Sequence, residues 1–457
     1  MQQQQDAKHY LVRPIRVFVS PQLSVENSLF SLGEPVGKQG VAGEVFHSPC
    51  AGFCVKTYRF SGLLDDKENE NPINDLLQPM NEIGILTRLN GLPGVISIAG
   101  FALYPKQMRI LLPAFHQDLE NFLQDCDCFL NNSSFETSSS SNSKTPGLDF
   151  LLSHLPMPQP AAATKQYKKN VLETFAADII RQLLCALVLM HDRGVVHADI
   201  KPSNIVLRFH QNEHRIEAVF CDFSHSRLLE LGQGLLSDYK EMVTTEEYRA
   251  PELSHQKYED SFSVPNNSMV YSYYSHKIDI YSLGRVIQKM AEKMKSNPSA
   301  FMPSVAFDLM MQKRTSCRIS AHELAMNLKL KQFVKTTRRA EPGQAAKRSI
   351  RLIQEVAKSI PSEKLSDAFA CVEKLQHKKS KFASTNSRRL FFHYFEKNPN
   401  ALTAQNVRLV LFACHVISVS LDFDVTPEMF EKDTKVLLGT IFDITFTLEG
   451  QLFPLMF

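Results

Sequence analysis

Two short strings hold the residues best suited to chemistry. In His197-Ala198-Asp199-Ile200-Lys201-Pro202-Ser203-Asn204 a carboxylate, an amine and an amide share one loop. Asp199 suits a general base, and Lys201 is within reach of a transferred phosphoryl group, whose charge it would offset. Asn204 offers a neutral oxygen to Mg²⁺, and Pro202 stiffens the loop between them. The second string is Cys221-Asp222-Phe223-Ser224. Mg²⁺ takes hard oxygen ligands and needs only one or two carboxylates beside phosphate oxygens, which Asp222 with Asn204 would satisfy. Phosphoryl transfer asks for positioning and charge neutralisation more than for covalent help, and these residue types supply both.

Upstream lie the parts that would hold phosphates. Lys38-Gln39-Gly40-Val41-Ala42-Gly43-Glu44-Val45 has two glycines whose backbone N–H groups could approach an anion, although an ordinary glycine turn reads the same way. Phe53-Cys54-Val55-Lys56 puts one Lys on an apolar strand, as a phosphate ligand or a snorkelling edge residue. Glu82 sits at the edge of a helix's apolar face, as a solvated charge or as the partner of Lys56. The order of glycine loop, Lys, helix Glu, Asp-x-Lys-x-x-Asn and Asp favours the functional reading of each.

The elements around these residues follow from pattern. Residues 32–56 are strand-like, broken by glycines, and 73–89 are helical, with Pro79 marking an irregular start or kink. Short apolar runs flank the chemistry at Val195-Val196, Ile205-Val206-Leu207 and Val219-Phe220-Cys221. Residues 125–166 are Ser-, Pro- and Ala-rich and predict a disordered insertion. Helical periodicity covers 171–191, and 254–276 read as a second insertion. Helices resume from 277 to about 333, a basic linker with Pro342-Gly343 fills 334–348, and 349–457 are helical again.

Together these residues resemble the eukaryotic protein kinase family, of the Ser/Thr type, over about 31–333. The resemblance implies an α+β, bilobal kinase fold, with a β-rich N-lobe at about 31–115 and a helical C-lobe at about 116–333. An all-helical C-terminal extension follows, and residues 1–30 precede it as an N-terminal extension. It implies ATP and Mg²⁺ as cofactors, held between the lobes, and protein substrates. Gly40, Gly43, Val45, Cys54 and Lys56 would meet the nucleotide, with Glu82 pairing Lys56. Leu112 and Ala114, in Arg109-Ile110-Leu111-Leu112-Pro113-Ala114-Phe115, would lie beside the adenine. Asn204 and Asp222 would bind metal, and Asp199, Lys201 and Thr245 would form the catalytic group. Thr245 opens Thr245-Glu246-Glu247-Tyr248-Arg249-Ala250-Pro251-Glu252, which is similar to the end of an activation segment. Asp279 would brace the catalytic loop, and Arg318 would pair with Glu252.

The departures from the family pattern carry their own expectations. Lys38 replaces the first loop glycine, and Cys54 stands at the usual Ala. Tyr281 replaces a common Trp. Ala198 replaces an Arg that in many relatives binds an activation-loop phosphate, so activity without that phosphorylation is expected. Ser224 replaces a Gly, which predicts a less freely turning metal loop. Cys221 is either a buried small hydrophobe or a thiol open to alkylation.

The tail is open to two readings. Val407–Ile417 and Thr447-Leu448-Glu449-Gly450-Gln451-Leu452 bear a fainter resemblance to a cyclin box, with Glu449 matching an acidic position and Ser420 replacing a Lys. The alternative is a plain helical extension packed on the large lobe. Either makes the tail a candidate regulator in cis or in trans. The remaining composition mostly excludes. Net charge is +3 with 22% charged residues, so no direct nucleic-acid partner is expected. The nine cysteines contain no C-x-x-C pair, against structural zinc and for a reducing compartment. No apolar run is long enough to span a bilayer, and an intracellular site, cytoplasmic or nuclear, is expected. The rival in function is a pseudokinase scaffold that binds nucleotide or partners without phosphoryl transfer.

Overall fold

The run Phe-Cys-Val-Lys-Thr-Tyr-Arg alternates around β-branched and aromatic residues, and it forms a strand that positions the candidate phosphate ligand. It is β3 (Phe53–Arg59) of an antiparallel sheet with β1 (Arg16–Val19), β2 (Glu44–His47), β4 (Gly100–Tyr104) and β5 (Gln107–Pro113). The spatial order is β1-β4-β5-β3-β2. The computed structural model describes residues 16–19, 28–36, 43–59, 72–104, 106–131, 145–154, 161–229, 235–237, 245–253, 272–330, 355–356, 358, 360–375, 381–419 and 434–452. Gly40, Lys38, Ser420 and the linker 334–348 lie outside them.

The chain divides into two compact units. The first comprises Met1–Asn90, Ser97–Ala114 and Thr336–Phe457. Its sheet is joined by α1 (Pro72–Leu89), a helix that continues through Pro79. Arg16–Val19, which the sequence reading places ahead of the sheet, pairs with β4 from Arg16↔Leu103 to Val19↔Gly100. One face of the sheet packs Leu29, Phe30, Val55, Ala102, Tyr104 and Leu111 into a core. Arg109 is buried beneath it, donating from Nη1 to the Phe30 carbonyl (2.7 Å) and stacking on the Tyr104 ring.

The second unit comprises Gly91–Ile96 and Phe115–Lys335. Strands β6 (Gln117–Asp118), β8 (Ile205–His210) and β9 (Arg215–Phe220) form a small sheet, and β7 (Val195–Val196) pairs with β10 (Arg227–Leu228). The helices are α2 (Leu119–Asn131), α3 (Pro146–Leu152), α4 (Ala161–Asp192), α5 (Lys277–Lys293), α6 (Ser304–Met310) and α7 (Ala321–Asn327). The expected disordered insertion at 125–166 is therefore only part of the picture. Helix covers 125–131, 146–152 and 161–166, and Cys126, Phe129, Phe150 and Leu151 are buried. Average composition hides these apolar residues, which lie at both ends of the Ser-rich centre. Residues 132–144 and 155–160 lie outside the described residues, as do 254–271 of the second insertion.

The C-terminal extension, grouped with the sheet, adds α8 (Ser362–Leu375), α9 (Lys381–Lys397), α10 (Val407–Val419) and α11 (Thr434–Thr447). Apolar residues close its interior, among them Phe391, Leu411, Cys414, Ile417, Ile441 and Ile444. Asn386 ties the bundle by donating to Ser418 Oγ (3.0 Å). No helix among the described residues is long and apolar enough to cross a membrane.

Candidate active site

In the sheet unit, strand register assembles one half of the expected residues. Val45 lies opposite Lys56, and Cys54 opposite Leu112. Directly paired residues and residues two apart share a sheet face, so Val45, Cys54, Lys56 and Leu112 point the same way. Ala114 closes this edge, its N–H donating to the Gly52 carbonyl (2.8 Å). Gly43 has a φ of +119°, and a Cβ there would meet the Thr57 carbonyl oxygen at 3.0 Å and Lys56 Cε at 3.2 Å. Only glycine lets the strand pass so close to the lysine.

Lys56 Nζ donates to Glu82 Oε1 at 2.9 Å, with both side chains almost wholly buried. The Tyr58 hydroxyl donates to the other oxygen, Glu82 Oε2. The sequence reading passed over Tyr58; its position two residues from Lys56, hence on the same face, was the available signal. Burial pushes the Cys54 thiol up to about 11, with Lys56 only partly opposing it, so this sulfur stays protonated near neutrality.

In the second unit, the loop after β7 gathers the other half. Asp199 Oδ2 accepts from Lys201 Nζ (2.7 Å) and from Asn204 Nδ2 (3.0 Å). Asp199 Oδ1 accepts from the backbone N–H and the hydroxyl of Thr245, each at 3.2 Å. Lys201 Nζ also donates to Thr245 Oγ1 at 3.0 Å. A nearly buried carboxylate is thus held from both sides by hydrogen-bond donors.

The loop backbone is braced from below. Asp279 on α5 accepts from the N–H groups of His197 (2.8 Å) and Ala198 (2.9 Å) and from His191 Nε2 (3.1 Å). Burial opposes ionisation of Asp279, but His191 and the Ala198 N–H outweigh it and hold the carboxyl below its usual range. His191 is a second residue the sequence reading missed. Ala198 takes a left-handed φ of +68°, a strained conformation that these two bonds hold in place.

The turn at Cys221-Asp222-Phe223-Ser224 is linked to the same loop. His197 Nδ1 accepts from the Asp199 N–H (3.4 Å), which leaves Nε2 to donate to the Cys221 carbonyl (3.0 Å). The ring also packs 4.8 Å from buried Phe223. Asp222 has a φ of +60°. Its Oδ1 accepts from the Ser224 hydroxyl (2.6 Å), so the residue replacing glycine holds the carboxylate directly. Asn204 gives its Nδ2 to Asp199, which presents its Oδ1 as the amide atom for a cation. One carboxylate and one amide oxygen fit Mg²⁺, whose remaining ligands come from phosphate and water. Among the described residues no group of three or more His, Cys, Asp or Glu could hold a metal ion.

Arg318 pairs with Glu252 through two bonds, Nη1 to Oε1 at 2.6 Å and Nη2 to Oε2 at 2.9 Å. Its guanidinium lies over the Tyr281 ring at 4.9 Å, so the tyrosine in place of the common tryptophan supplies the stacking face.

A family model described as the protein kinase domain matches residues 36–378, beyond the end near 333 expected from the sequence. The chain is 32% identical over 124 residues to mitogen-activated protein kinase kinase 2 of Arabidopsis thaliana, covering 27% of this chain and 28% of that protein. It is 35% identical over 86 residues to calcium/calmodulin-dependent protein kinase cmkB of Emericella nidulans, covering 19% and 20%. It is 39% identical over 83 residues to serine/threonine-protein kinase PKH2 of Candida albicans, covering 17% and 8%. The alignments thus span well under two-thirds of each relative's length.

Proposed function

The chain belongs to the protein kinase family, and on that premise we propose that it transfers the γ-phosphate of ATP to Ser or Thr hydroxyls of proteins. The observation that carries the reading is the Asp199 network with Lys201, Asn204 and Thr245. Asp199 accepts the proton of the substrate hydroxyl. The hydroxyl oxygen forms its bond to the γ-phosphorus as the bond to the β–γ bridging oxygen breaks, and ADP leaves with that electron pair. Lys201 offsets charge on the group in transfer, and Lys56, aimed by Glu82, neutralises the α- and β-phosphates. Gly40, Gly43 and Val45 cover the nucleotide, and Cys54, Leu112 and Ala114 contact its base. Mg²⁺, when bound, would offset the charge of the phosphates; Asp222 and Asn204 are the residues that would hold it.

The buried Lys56–Glu82 pair supports catalysis over a scaffold role. A buried ion pair adds little net stability once desolvation is counted, so its presence is better explained by what the ammonium holds. Lys201 and Thr245 together favour Ser and Thr over Tyr. The reading includes control of the kinase by its own helical extension. Incubation with radiolabelled ATP, Mg²⁺ and mixed protein substrates, followed by phosphoamino-acid analysis, tests it. Label on Ser and Thr is expected, and label confined to Tyr would refute the substrate class.

A further inference from the structure

The contact between the C-terminal extension and α1 bears on the site, given the kinase reading above. Helix α11 ends in a tight left-handed turn. The Gly450 N–H donates to the Thr445 carbonyl (2.9 Å) and the Glu449 N–H to that of Phe446 (3.2 Å). Glu449 and Gly450 have φ of +52° and +76°. The turn lays Gly450 flat against the helix that carries Glu82. A Cβ at Gly450 would lie 2.8 Å from Ile83 Cγ2, 3.0 Å from Thr87 Oγ1 and 3.0 Å from Phe101 Cε1. Ile83 is the residue after Glu82, and Thr87 is one turn further on, its hydroxyl donating to the Ile83 carbonyl (2.7 Å). One turn back along α11, the Phe446 ring packs 5.0 Å from Phe101, which itself packs 5.2 Å from Phe18 of β1.

Consecutive residues of α1 therefore do two jobs. Glu82 holds Lys56, and Ile83 lies under the last turn of the extension. Pro79 leaves this helix one backbone donor short four residues before Ile83. We propose that Phe446 and the 448–451 turn are positioning residues for the Lys56–Glu82 pair, so that the extension sets the turnover rate of its own kinase. The turn meets α1 at Ile83 and Thr87, and the Phe446 ring rests on Phe101 of β4, so the support carries no charge that salt would screen.

The test is a double-mutant cycle in the full chain, with Phe446→Ala, Glu82→Gln and the pair. Phe446→Ala should lower kcat by about tenfold to a hundredfold, as small misplacements of catalytic groups do, with the KM for protein substrate unchanged. In the Glu82→Gln background it should cause no further loss, and Phe446→Leu should restore most of the rate. Tyr394→Phe removes a hydrogen bond to Asp443 inside the extension and serves as the control, lowering thermal stability without lowering kcat. A wild-type rate for Phe446→Ala, a loss that multiplies that of Glu82→Gln, or an equal kcat loss in Tyr394→Phe would overturn the proposal. If the unaltered chain transfers no phosphate, the kinase reading fails separately, and amide exchange in Pro72–Leu89 still decides the contact's role. Faster exchange there in Phe446→Ala supports the support role, and unchanged exchange rejects it.

Discussion

Ser224 shows how one residue can alter a familiar site. A glycine there would leave the Asp222 carboxylate without this donor, whereas the serine hydroxyl donates to Asp222 Oδ1 at 2.6 Å. The bond orients the carboxylate before any cation arrives. Groups that orient a metal ligand typically contribute tenfold or more to affinity. Ser224→Gly should therefore raise the Mg²⁺ concentration for half-maximal activity by about tenfold, with Ser224→Ala close to it. An unchanged Mg²⁺ titration in both variants would show the hydroxyl to be idle. Legibility at this scale was uneven. Asp199, Lys201 and Asn204 fall in one contiguous string, so their chemistry could be read directly. The Lys56–Glu82 pair came from the order of parts along the chain. Tyr58 and His191 were missed, because each acts through a partner distant in sequence and belongs to no string.

At the scale of elements, the 197–204 loop is held by α5. Asp279 binds two successive N–H groups of the loop, and Ala198 has no side chain to reach an activation-loop phosphate. Thr245 instead bonds Asp199 directly. Treatment of the purified protein with phosphatase should leave kcat unchanged, and a large loss would count against this account. Strands β7, β8 and β9 were legible as short apolar runs, whereas Arg16–Val19 joins the sheet by a pairing that no local pattern marks. The helices at 125–131 and 146–152 were not legible, because the Ser-rich residues between them dominate the composition. The packing of the turn after α11 on α1 joins residues far apart in sequence, and no local pattern encodes such a contact.

Across the whole molecule, each unit buries a histidine in its neutral form. Burial lowers His276 to about 4, with the charge of His191 adding to the effect, and burial alone lowers His415 to about 4. An unfolded histidine titrates near 6.5, so the unfolded chain takes up protons first as the pH falls. Stability should be full above about 6.5 and decline as pH drops towards 4, by on the order of 3 kcal/mol for each histidine. Thermal melts from pH 7.5 down to 4.5 test this, and His415→Gln should flatten part of the decline. A melting temperature that does not fall through this range would contradict it.

Asp199 is the proposed proton acceptor in phosphoryl transfer, and the kinase reading depends on it. The direct measurement is label incorporation from radiolabelled ATP and Mg²⁺ into generic protein substrates, by the unaltered chain and by Asp199→Asn side by side. The unaltered chain should label substrate, and Asp199→Asn should fall by about a hundredfold or more, the usual contribution of a positioned base. Equal incorporation by the two proteins would contradict the mechanism.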